Sequence, residues 1–167
     1  MTTLTVWKFN TSDGADRVMK KLIELQKQQL IEIQDAAIVS WRYGRKKPKT
    51  RQALDLVSAS AMDGAFWGML FGCIFLVPVV GILLGSTLGA LSGSLQDYGI
   101  NDDFIKDIKA KVTEGTSALF LLTGKVTADK VEAAFSPDEK GELIQSNLSI
   151  EQEAKLREHF GEENFFG

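Results

Sequence analysis

The stretch GAFWGMLFGCIFLVPVVGILLGSTLGALSGSLQ, residues 64 to 96, decides how this chain is read. Asp63 and Asp97 bracket it, and no side chain between them carries a charge. A run this long and apolar is costly to leave in water. Ser60 and Asp63 make a Ser-x-x-Asp capping signature, so a helix is expected from Ala61 to about Val77. Pro78 lacks the amide hydrogen a helix needs and sets the hairpin turn, with a second helix from Val79 to Gln96. At ~1.5 Å rise per residue the two helices would be roughly 25 and 27 Å long, against a hydrocarbon core of about 30 Å. The pair is therefore expected either to cross a bilayer or to enter and leave one leaflet, with both ends on the same side.

Glycines recur at every fourth position: Gly64, Gly68 and Gly72 on the first helix, Gly81, Gly85, Gly89 and Gly93 on the second. Each costs about 1 kcal/mol against alanine in a solvated helix, so a packing reason is needed. Close backbone approach supplies it, because helices in lipid associate through small residues at the contact. Ser86, Ala90 and Ser94 form a second small-residue stripe beside the glycines. One stripe can serve the hairpin partner and the other a sister copy, so a homo-oligomer is expected. Phe66, Trp67 and Tyr98 would meet at one level, either as interfacial aromatics or in ordinary contacts with the rest of the protein.

Outside this insert the chain reads as an α/β body. Leu4, Val6, Trp7 and Phe9 form a first strand, and Asn10 to Gly14 a turn and cap. Val18, Leu22, Leu25 and Leu30 keep helical spacing through a helix from Asp13 to about Gln29. Ile31, Ile33, Ala37, Val39 and Trp41 alternate as a second strand, and residues 50–57 offer a weaker third. Asn101 or Asp102 caps a helix carrying Phe104, Ile105, Ile108 and Val112, and Ser117 to Thr123 is a buried strand. The order β-α-β-β-α-β predicts an α+β, ferredoxin-like sheet. A C-terminal α-β-α extension follows: residues 127–135 as a helix, Glu142–Leu148 as a strand, and a last helix from Ser149, whose hydroxyl and Gln152 make a capping box. The expected division is thus 1–60 with 97–160 as the body, 61–96 as the inserted membrane or oligomerisation hairpin, and 161–167 as a tail.

The net charge of -3 gives no global attraction to nucleic acid. One local patch runs the other way: Arg42, Arg45, Lys46, Lys47, Lys49 and Arg51 crowd a loop that holds no acid. The loop is either a plain solvated turn or a candidate lipid contact, since near anionic headgroups each such cation adds ~1 kcal/mol, and the same cations follow the positive-inside preference. The first nine residues lack the basic and apolar regions of a secretory signal, and the body is expected to face the cytoplasm.

No catalytic constellation is legible. His159 is the sole histidine and Cys73 the sole cysteine, so no close His/Cys ligand set exists, and no metal or cofactor is expected. Gly124-Lys125 lacks the earlier glycine of a phosphate loop, and Val126 stands where that motif needs Ser or Thr. Paired acids such as Asp102 and Asp103 fit a helix start better than a catalytic dyad.

The pattern Gly64-Ala-Phe-Trp-Gly-x-x-x-Gly followed by Gly81-x-x-x-Gly-x-x-x-Gly-x-x-x-Gly, set inside an α/β body, resembles a widespread bacterial family of membrane proteins of unknown function. The resemblance runs from about Leu4 to Phe160 and implies a bacterial inner-membrane location, with no catalytic residues to transfer. The leading expectation is a non-enzymatic, membrane-associated protein that oligomerises through the hairpin, with lipid and its own copies as partners and no nucleic acid. A channel and a small-molecule-binding regulatory module are the alternatives.

Overall fold

In the computed structural model the described residues are 2–52, 64–75, 99–124, 127, 130–131, 141–152 and 154–155. The fold organises around a strand of sequence SALFLLTG, Ser117–Gly124, which is buried at every position but the last. A strand this apolar must be covered on both sides. It lies between Thr2–Phe9 (β1) and Ile33–Ser40 (β2), with Lys49–Gln52 (β3) and Glu142–Leu148 (β5) at the edges; Ser117–Gly124 is β4. The order across the sheet is β3-β2-β4-β1-β5, and each neighbouring pair is antiparallel.

Alternation along the strands sends two sets of side chains to two faces. Leu4, Val6, Ala37, Val39, Phe120 and Leu122 share one core with helix α2, Gly64–Phe75, and helix α3, Asp102–Lys111. Trp7, Phe9, Ile38, Leu119 and Leu121 meet Ala15, Val18, Met19 and Leu22 of helix α1, Gly14–Lys27, on the opposite face. Val131, in a helical piece of the C-terminal extension, adds to that second core.

The expected α+β class and all five expected strands are present, the third described from Lys49 to Gln52, but the ferredoxin-like placement is not. That arrangement inserts the third strand between the first and second and covers one face with both helices. Here β4 takes the slot, and α1 and α3 lie on opposite faces. The reason is chemical. KTRQ of β3 is short and charged, which suits an edge that must not pair with strangers, whereas β4 has nothing to offer water on either side.

Three local expectations also change. The second strand does not alternate cleanly from Ile33 to Ala37, because the pairing slips between Ile33 and Asp35 and turns Ile33 toward the α1 face. Helix α1 stops at Lys27, and Gln29, at φ 61°, turns the chain so that Leu30 is left 51% exposed. Asp13 does not cap that helix through its side chain; instead the Ala15 amide donates to Ser117 Oγ at 2.9 Å, a cap delivered from β4. Two caps are as expected. Asn101 Oδ1 accepts from the Phe104 amide at 2.9 Å, and Ser149 and Gln152 exchange bonds of 2.9 and 3.1 Å.

Candidate functional site

The first of the two expected hairpin helices is seated on the sheet. Trp67, Leu70, Phe71 and Ile74, spaced as one helical stripe, are all buried in the core they share with β1, β2 and β4. Phe71 stands edge-on to Phe120 with ring centroids 5.1 Å apart, and Trp67 does the same at 6.3 Å. Of the two places expected for Trp67, a membrane interface or a contact with the body, it takes the second and is 2% exposed. Its indole N–H donates to Asp35 Oδ2 at 2.9 Å, and the Ala36 amide donates to Oδ1 at 2.8 Å. Asp35 is fully buried, and a carboxyl so placed is tolerated only when its oxygens are bonded. The apolar helix thus satisfies an acid that β2 presents on the same face of the sheet as Ala37 and Val39.

Gly72 and Cys73 are half-buried on the same helix. Burial raises the Cys73 thiol pKa, Lys109 opposing and Asp102 adding to the shift, so the thiolate is scarce at neutral pH. No helix among the described residues is long and apolar enough to cross a membrane. The Ser60/Asp63 cap, Pro78, Gly81, Gly85, Gly89, Gly93, Ser86, Ala90, Ser94, Tyr98 and His159 lie outside the described residues.

The basic loop is built rather than loose. The Trp41 amide donates to the Thr116 carbonyl at 3.0 Å and the Gly115 amide to the Trp41 carbonyl at 2.6 Å, carrying the β2–β4 pairing into the loop. Trp41 Nε1 donates to the Arg45 carbonyl at 2.9 Å and folds the loop back on itself. The ring of Tyr43 lies over Gly115, where an added Cβ would collide with Cζ. Gly115 also holds φ +85°, a conformation open to glycine. Gly115→Ala is expected to lower stability by about 1–2 kcal/mol and to dislodge Tyr43, checked by the urea midpoint.

All six expected cations, Arg42, Arg45, Lys46, Lys47, Lys49 and Arg51, are exposed. The structure brings this loop to the end of α2: Trp41 and Phe75 meet edge to face, centroids 6.2 Å apart. Phe75 is also the last described residue before the remainder of the uncharged stretch. Sequence reasoning identified both features separately; their contact depends on how β2 and α2 pack, and nothing local in the sequence signals it. Missed outright were Asp35 and Asp16. The lone acid inside the apolar run of β2 was the available sign for the first. Asp16 pairs with Arg51 across the gap between α1 and β3.

A sequence profile described as "Protein of unknown function (DUF1269)" matches residues 61–161. The match spans α2 to the C-terminal helical piece and leaves out β1, α1, β2 and β3, a narrower range than the resemblance from Leu4 to Phe160. No curated protein and no solved structure matches the chain.

Proposed function

The chain belongs to the DUF1269 family of proteins of unknown function, and for this member we propose a non-enzymatic, membrane-associated role. In this reading the uncharged segment after Phe75 contacts lipid and packs with its own copies, while the sheet with its helices is the cytoplasmic scaffold at a bacterial inner membrane. Helix α2 stays on the sheet and joins the two. The observation that carries the reading is the Trp41–Phe75 contact, which sets the cationic loop beside the root of the apolar segment. A surface that attracts anionic headgroups and a segment that leaves water then act at one place. Tyr43, 81% exposed on that loop, is the kind of ring that settles at a headgroup interface.

The four-residue glycine spacing from Gly81 to Gly93, with Ser86, Ala90 and Ser94 beside it, supports self-association through small-residue faces. Flotation of the full chain with vesicles tests the proposal. Binding is expected to vesicles containing phosphatidylglycerol and to fall with Lys46→Glu/Tyr43→Ser, by roughly tenfold given ~1 kcal/mol per cation near an anionic surface. The reading fails if the chain stays behind as a soluble monomer with anionic and neutral vesicles alike.

A further inference from the structure

Arg42, Arg45, Lys47, Lys49 and Arg51 line a cleft of about 430 Å³ beside the first turn of α1. Among the described lining residues Asp16 is the sole acid. The volume falls within the ~300–1,000 Å³ of small-ligand sites, yet the wall is far more cationic than such sites usually are. The wall is also positioned. Lys49 and Arg51 lie on β3, in register with Ser40 and Ile38 of β2. The backbone of Arg45 is held by the Trp41 indole. Ser40 Oγ donates to the Ser12 carbonyl at 2.6 Å, tying the floor of the cleft to the chain entering α1.

Repulsion among cations crowded this way is relieved by an anion, and Asp16 already supplies one carboxylate, paired with Arg51. That leaves four cations facing the cleft without an acid in its described lining. Three of the five are arginines, whose flat fork of donors matches phosphate oxygens two at a time.

We propose that the cleft between α1 and β3 binds a multiply charged phosphate group, with Arg42, Arg45, Lys47 and Lys49 as its ligands and Asp16 as the internal anion that yields Arg51 to it. The inference builds on the cationic character of the loop but does not need the apolar segment. The group can come from a soluble phosphoanhydride or from a phosphomonoester lipid headgroup, since both present the same oxygens.

Calorimetric titration of the full chain with sodium pyrophosphate, without vesicles, reads the soluble source. Flotation with phosphatidate vesicles, with and without pyrophosphate, reads the lipid source. Saturable pyrophosphate binding is expected. Lys49→Glu/Arg51→Glu should weaken it by about tenfold or more, because like charge is placed against the anion. Lys27→Glu/Lys106→Glu, with the same net charge but at the far end of α1 and on α3, should leave it unchanged. Asp16→Asn should tighten it by removing the competing carboxylate, and this variant keeps the test open should the double reversal fail to fold.

Pyrophosphate binding that leaves vesicle binding untouched supports the soluble source; displacement from phosphatidate supports the headgroup. Equal losses in the two double variants, or no saturable binding of either probe, overturn the site. Loss of flotation in Lys46→Glu/Tyr43→Ser with pyrophosphate binding intact keeps the two readings separate, since neither residue lines the cleft.

Discussion

Phe120→Ala is expected to lower the free energy of unfolding by about 3–5 kcal/mol, the usual cost of emptying a large aromatic from a core. Phe120 is fully buried on the central strand and meets Phe71 and Trp67 of α2 edge-on. Its removal leaves a void under α2, where the sheet and the apolar helix share one core. With a urea slope of ~1–3 kcal/mol per molar, the midpoint should fall by about 1 M or more. A variant that unfolds at the parental midpoint would mean that α2 does not rest on β4.

Trp67→Ala should cost a similar amount, about 3–5 kcal/mol, for a different mixture of reasons. The indole fills space against Phe71 and Phe120 and also donates to the Asp35 carboxyl. Trp67→Phe separates the two, since it keeps most of the ring and removes the donor. The loss of a hydrogen bond to a buried acid should then appear alone, at about 1.5–3 kcal/mol. A double-mutant cycle with Asp35→Asn measures the coupling, and a Trp67→Phe variant as stable as the parent would show that the bond contributes nothing.

Much of this architecture was legible because local chemistry and final environment agree. SALFLLTG is apolar at nearly every position and is buried on both faces; Asn101, Ser149 and Gln152 sit where caps belong and act as caps. Glu142–Leu148 was a strand by pattern and pairs with β1 along its length. What could not be read is what depends on partners distant in the chain. The strand order turns on β4 being too apolar for an edge and β3 too charged for the centre, a comparison between segments rather than a property of either.

Helix α2 posed a related problem, since it carries no charge on any side and no polar stripe marks which side meets the sheet. The position of Trp67 near the helix start left lipid and the body equally open as its surroundings. Asp35 was the one local hint of a polar partner waiting there. Ile33 and Ala37 misled for a simpler reason: one slip in register reverses the facing of every residue before it. As for the site, the six cations were evident from composition, but the cleft arises only because β3 folds back beside α1 and brings Asp16 to Arg51.

The interleaving of the sheet also sets an order of events in time. β1 and β2 do not pair with each other; each pairs with β4, made long after both. A chain emerging from the ribosome therefore carries two strands with a vacant lane between them until residues 117–124 appear. Until then their amides and carbonyls lack the neighbour they are shaped for, and a strand from another molecule can occupy the lane. Assembly waits for its middle piece, so closing this sheet depends on late, long-range pairings rather than on the helices that form along the way.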